Sequence, residues 1–420
     1  MSVKREALAL VGRAAAKVPN DRAQLFAFVA SPAVRSEPWA LYRRLHERGP
    51  VRPTGYSGTW LVASHAGVSQ TLRSPTASVD EAVAFPDVER TSPFSTLIGA
   101  SMLFRDPPDH TRLRRLVARA FTPRTVEQLR PRVEDLVHQR LSALRPMGSA
   151  DLLQHLALPL PVAVICELLG VPERERSRFL RWAQHLAPRL DVDLFRDEER
   201  DRLGNIAAAE LRTFLTELVE HADRRDADGL LSALVALEDD GDQLSRDEIV
   251  SMAALLLVAG FETTTNLIGN GVAALLDAPT QLARVRDADV EPSVAVDELL
   301  RFAGPVQFAQ RILTEDLELG GHLIPARTLV ALLVGAANRD PLVFDLPDQL
   351  DVGRRPNPHL SFSAGIHHCL GAALARLEAE IAVPAILRAL PDLRLAAPLA
   401  WRPTFVLRGL LRLPVSWKPG

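Results

Sequence analysis

Apolar positions along the 420-residue chain fall into distinct rhythms. From about 110 to 300 they recur at helical spacing, interrupted by "RPMGSAD", "GVPERE" and "DDGDQLS", which read as loops. Before that region, "VRPTGYSGTWLVAS" (51–64) places turn residues around a short strand pair. After it, "VQFAQRILTEDLELGGHLIPARTLVALLV" (306–334) reads as strands separated by a Gly-Gly turn, and "PTFVLRGLLRLPVSW" as a closing hairpin. The pattern predicts a mainly α protein with a minor β region, without internal repeats or low-complexity linkers.

One helix is not amphipathic. Ser245-Arg246-Asp247-Glu248 fits a capping box, and apolar residues then continue to about Leu276. That is roughly thirty residues, or about 45 Å of helix. A helix apolar nearly all round belongs in the middle of a molecule. Its centre nevertheless reads "AGFETTT", which puts Glu262, Thr263, Thr264 and Thr265 where burial without partners costs several kcal/mol. Those groups need a reason.

Composition narrows the classes. A hydrophobic content of 47% with 24% charge is ordinary for a globular chain, and length alone favours two or three domains. A formal net charge of −3 supplies no bulk attraction to nucleic acid or an anionic membrane. The N-terminal apolar run "ALALVG" is broken by Arg13, too short for a signal sequence, and "MAALLLVAGF" (252–261) has the length of a buried helix. No membrane span and a reducing cytoplasm are the expectations, since the two cysteines lie too far apart for a disulfide framework.

Cys166, in "VAVICELLG", reads as a small buried hydrophobe. Cys369, in "LSFSAGIHHCLGAALARLE" (360–378), sits between Gly365 and Gly371 with Phe362 upstream and a helical run downstream. It admits three readings. It can be another buried hydrophobe. It can be a zinc ligand beside His359, His367 and His368, although adjacent side chains point apart and no CxxC completes a tetrahedral set. Or it can be a haem thiolate, held anionic by N–H donors and the macrodipole of the following helix, with small residues letting a flat macrocycle approach.

The pattern Phe-x-x-Gly-x-x-x-Cys-x-Gly in "FSAGIHHCLG" resembles the cysteine-ligand loop of the cytochrome P450 monooxygenases of the soluble bacterial type. The resemblance runs in family order from about residue 38 to 418, leaving 1–37 as an N-terminal extension. "AGFETT" is similar to the acid–alcohol segment of the family's central helix, and "DPPDHTRLRRL" (106–116) to the start of the helix that grips the haem. Glu298-Leu299-Leu300-Arg301 matches the family's Glu-x-x-Arg, and "ANRDP" with "LDVGRRPNPHL" resembles the meander before the cysteine. The resemblance implies one triangular, mostly helical domain spanning 1–420. It also implies haem b bound through Cys369, with Ala259, Phe362, Gly365 and Gly371 close to the macrocycle. Glu298, Arg301 and Arg354 should form a structural cluster.

Helical geometry adds to this. His110 and Arg114 are i,i+4 neighbours, with Arg112, Arg115 and Arg119 on the opposite face and Leu113, Leu116, Val117 and Ala120 as the apolar stripe. By resemblance His110 and Arg114, joined by Arg311 and His367, should hold the two propionates. Glu262 would relay protons and Thr263 would donate to bound dioxygen. A back-bond from Thr263 to the Ala259 carbonyl would loosen the helix there. Substrate should meet the loop 78–103, Leu255, Ala259, Gly260, Val306, Phe308, Thr404 and Phe405, which suits a hydrophobic small molecule. Electrons from NAD(P)H would arrive through a separate ferredoxin and ferredoxin reductase, with Arg112, Arg115 and Arg119 as a docking stripe. A peroxide-using enzyme of the same fold, or a haem-binding sensor or carrier, are the alternatives.

Overall fold

The computed structural model describes residues 31–419, apart from 56–57, 84–85, 87–90, 192–196, 223–229, 237 and 240–241. Helices α1 (His65–Arg73), α2 (Asp109–Ala120), α3 (Pro159–Leu168), α4 (Arg246–Leu276), α5 (Pro292–Ala303) and α6 (Ala372–Ala389) carry the residues discussed below. Strands β1 (Val51–Pro53), β2 (Trp60–Val62), β3 (Ala77–Ser78), β4 (Ala309–Leu313) and β5 (Leu329–Leu332) form the largest sheet among the described residues.

The chain divides into two compact units that interleave along it. The first comprises Met1–Ser78, Gly269–His368 and Arg394–Val415; the second comprises Val79–Ile268, Cys369–Leu393 and Ser416–Gly420.

The first unit contains the sheet, ordered β1-β2-β5-β4-β3. β1 and β2 pair antiparallel with Val51 opposite Val62, as the pattern of 51–64 predicts. β5 runs parallel to β2 and antiparallel to β4, setting Val330 beside Trp60 and Arg311. Alternate side chains of these strands (Val62, Leu313, Val330, Leu332) pack with Val68 and Leu72 of α1 into a buried cluster. The Gly-Gly turn is present between Leu317–Leu319 and His322–Ile324. Gly320 and Gly321 have φ of 58° and 79°, the left-handed pair a two-residue hairpin turn requires. The tail hairpin starts earlier than expected: Leu410–Arg412 pairs with Ala400–Trp401, and residues 402–409 make its loop. Pro403 has no N–H to give a ladder, so the strand stops before it.

The second unit is mainly helical. Its cap signal at α4 is reciprocal: the Glu248 N–H donates to Ser245 Oγ (3.2 Å) and the Ser245 N–H to Glu248 Oε2 (2.8 Å). By length and composition α4 passes for a membrane span, but most of it is buried in protein, the position of a core helix.

Candidate active site

From Ile249 to Ala273 every residue of α4 is buried except Ala259, Gly260 and Thr263. Positions i, i+1 and i+4 share one helix face, so the opening is a single window in an otherwise covered rod. Thr263 Oγ1 donates to the Ala259 carbonyl at 2.8 Å, and Thr264 Oγ1 to the Gly260 carbonyl at 3.0 Å. α4 stays α-helical throughout, so this back-bonding does not unwind it as expected. Glu262, one residue along, is only 4% exposed and accepts a hydrogen bond from Asn266 Nδ2 at 3.2 Å. Leu255, one turn before Ala259, is buried.

Cys369 lies just before α6. Its side chain is accessible, yet surrounding protein pushes the thiol pKa up by desolvation. Opposing the desolvation, the Gly371 N–H bonds to the sulfur, and the Arg114 and Arg376 guanidiniums favour its thiolate. Cys166, near the C-terminal end of α3, is 0% exposed, and burial lifts its thiol to about 12 against Arg176 alone.

α2 delivers His110 and Arg114. His110 is 1% exposed; burial lowers its pKa, Arg114 lowers it further and Asp106 opposes. Burial likewise lowers the pKa of Arg114, with Cys369 acting the other way, so this guanidinium stands within electrostatic reach of the sulfur. On the opposite face the expected basic stripe is incomplete. Arg112 is half-buried and ion-paired to Glu248, the capping-box acid of α4, which leaves Arg115 and Arg119 exposed.

The first unit holds the other predicted residues. Arg311, on β4, is buried, and Nη1 donates to the Gln310 carbonyl at 2.7 Å. His367 closes the turn Gly365–His367 and is half-buried. Phe362 is buried between His359 and His368, with ring centroids 6.0 and 6.5 Å apart. The two glycines around the cysteine differ in cause. Gly365 has φ of 70°, and a Cβ there would lie 2.5 Å from the Leu72 carbonyl of α1. Both its left-handed backbone and that carbonyl require glycine here. A Cβ on Gly371, in the second unit, would meet nothing within 4 Å, so this glycine borders open space.

Elsewhere in the first unit Glu298 and Arg301 of α5 meet bidentately at 2.7 and 2.8 Å, and Arg354 Nε reaches both Glu298 oxygens at 3.3 and 3.2 Å. Val306 bridges Leu407, and the rings of Phe308 and Phe405 pack edge to face at 4.8 Å. Thr404 hydrogen-bonds the Leu407 carbonyl. The expected pocket loop 78–103 falls partly outside the described residues, as does most of 1–37.

Compared with known proteins, residues 77–289 and 293–391 match the family model "Cytochrome P450". The chain is 42% identical over 398 residues to the cytochrome P450 monooxygenase PikC of Streptomyces venezuelae, covering 92% of each. It is 41% identical over 393 residues to 6-deoxyerythronolide B hydroxylase of Saccharopolyspora erythraea, covering 89% of this chain and 94% of that one. The chain belongs to the cytochrome P450 family. A crystal structure of P450BioI with acyl carrier protein ligated to hexadec-9Z-enoic acid superposes with a TM-score of 0.86 at 35% identity, over 92% of this chain and 99% of that one.

This P450 is therefore a monooxygenase whose cofactor is haem b with a cysteine thiolate as axial ligand. The donor set fits the group: an accessible sulfur with an N–H donor and two cations, beside a glycine facing open space. Sequence reasoning missed Asn266, although "ETTTN" places it one turn beyond Glu262. It also missed Asn357 and the Asp351 N–H, which bond Glu298 at 3.1 and 2.9 Å from loops with no periodic signal.

Proposed function

We propose that this P450 inserts one oxygen atom from O2 into a hydrophobic small molecule, with Cys369 as the axial ligand and Glu262 and Thr263 as the proton-handling pair. The haem supplies dioxygen binding and two-electron reductive activation, aided by electron donation from the thiolate. The reaction consumes two electrons and two protons, places one oxygen in a C–H bond and releases the other as water. The window on α4 carries this reading: Thr263 is the one hydroxyl there that is accessible, next to a buried carboxylate. A hydroxyl so placed donates to a ligand at the window and holds water, while Glu262 replenishes its proton.

His110, Arg114, Arg311 and His367 are assigned to the propionates, because cations and imidazoles, two of them buried, suit paired carboxylates. Val306, Phe308 and Phe405, with Leu255 and Gly260, are assigned to the substrate wall. Their apolar character suits a hydrophobic substrate, in keeping with the compound named for the hydroxylase relative and the acyl group on the P450BioI partner. NAD(P)H would supply electrons through a separate ferredoxin and its reductase, in the cytoplasm, with Arg115 and Arg119 meeting the acidic donor. The acid–alcohol pair favours this over a peroxide-driven enzyme.

The test is twofold. The reduced holoenzyme should give the strongly red-shifted carbon-monoxide band of a thiolate ligand. Product should then form with ferredoxin, reductase and NAD(P)H in the presence of catalase. Turnover that occurs with peroxide and fails with the ferredoxin system overturns the ferredoxin-driven reading in favour of a peroxide-using enzyme. A thiolate band without turnover under either condition favours a sensor.

A further inference from the structure

The short helix Pro32–Ser36, which leads into Trp39, is fastened to the distant loop that carries Phe405. Arg35 Nη2 donates to the Pro403 carbonyl at 3.1 Å, across 368 positions of sequence. From the loop, Arg408 Nε donates to the Ser36 carbonyl at 3.0 Å, and its Nη2 lies 3.9 Å from the Glu37 carboxylate. The Arg408 guanidinium sits 3.4 Å from the Trp401 ring centroid and 4.9 Å from that of Trp39. Nearby, the Gln307 N–H donates to the Val406 carbonyl (2.9 Å) and the Arg408 N–H to the Pro305 carbonyl (2.7 Å). This register sets Phe405 against Phe308.

A buried cation here is costly. Arg408 is 9% exposed, and desolvation brings its pKa down to about 10. Its carboxylate partner, Glu37, is itself 62% exposed and screened by solvent. An apolar side chain would fill the space between two indoles without that desolvation. It would not bond the Ser36 carbonyl. The gain from arginine is therefore geometric, a fixed distance between the N-terminal segment and the loop.

We propose that Arg408 and Arg35 are positioning residues for substrate: they strap residues 32–37 to the loop 403–408 and so set where Phe405 stands in the pocket wall. The inference rests on the assignment of Phe308 and Phe405 to that wall.

The holoenzyme is titrated optically with two azoles that bind the iron through the same nitrogen. Imidazole is too small to reach the wall, whereas econazole carries aryl groups that fill a pocket. Arg408→Gln and Arg35→Ala should each weaken econazole about three- to tenfold, the worth of one or two hydrogen bonds, and change imidazole by less than about twofold. Arg408→Lys, which can still donate to Ser36, should recover part of the loss. Hydrogen exchange of a peptide covering 403–408 should quicken in both loss variants.

Phe405→Ala is the reference. If it leaves econazole binding unchanged, the pocket assignment itself fails. If it weakens econazole while both arginine variants bind as wild type, weaken imidazole equally, or leave loop exchange unchanged, the strap is overturned. Should Arg408→Gln yield no holoprotein, Arg35→Ala carries the same test, because its bond lies at an exposed edge.

Discussion

Glu262 and Glu298 are both buried acids on helices, and they stand in different places relative to solvent-accessible residues. Glu298 is 0% exposed and takes bonds from Arg301, Arg354, Asn357 and the Asp351 N–H. Each oxygen is held by cations and amides, so the group is fixed in place. Glu262 is bonded by the neutral amide of Asn266 and lies next to Thr263, one of three accessible residues between Ile249 and Ala273. A carboxylate locked by guanidiniums serves as scaffold. One beside an open window can pass a proton. The cysteines repeat the contrast: Cys166 is sealed in α3, and Cys369 stands open before α6.

The largest expected effect separates the cysteines. Cys369→Ala should abolish the red-shifted carbon-monoxide band entirely, and Cys166→Ala should leave it intact. A thiolate spectrum surviving in Cys369→Ala would erase the distinction between the two sites.

The acids come next. Glu262→Gln should keep haem and substrate binding but slow turnover by about 10²–10⁴, the usual worth of a general acid–base group. Thr263→Ala should divert reducing equivalents into hydrogen peroxide. Product formed per NAD(P)H consumed is the measurement, and unchanged coupling in both variants would return the window on α4 to a packing feature. At the sealed acid the loss should appear as stability. Arg301→Leu strips Glu298 of its bidentate partner, which should cost about 3–5 kcal/mol in chemical denaturation of the holoprotein. A cost below about 1 kcal/mol would mean that Arg354 alone satisfies the carboxylate.

Much of this contrast was legible before any coordinates. The capping box fixed the start of α4, and its unbroken apolarity marked it as a core rod with an acid and hydroxyls at its centre. Local rules sufficed there because spacing of 3.6 residues determines which side chains share a face. The back-bond from Thr263 is equally local. What sequence did not disclose is contact between distant segments. Arg112 looked like a free surface base until the fold brought it to Glu248. Nor did sequence disclose that a Cβ at Gly365 would meet the carbonyl of Leu72. The strap from Arg35 to Pro403 carries no periodic signal at all.

The smallest expected effect concerns a third buried acid, which sharpens the comparison because it has neither solution. Glu378, on α6, is 2% exposed, and its Oε2 has no hydrogen-bond partner among the described residues. Burial raises its pKa from 4.5 to about 8, so it is neutral at pH 7 in the folded protein. The sign follows from proton counts. Between pH 4.5 and 8 the unfolded chain has released this proton and the native chain retains it, so stability falls as pH rises through that window. Above the native pKa both states are ionised and the loss levels off, on the order of a few kcal/mol. Glu378→Gln removes the charge without removing the shape. Its thermal midpoint should match wild type near pH 5 and exceed it by several degrees near pH 8. Equal midpoints at both pH values would mean that Glu378 ionises in place, with water or a cation satisfying it as fully as Arg301 satisfies Glu298.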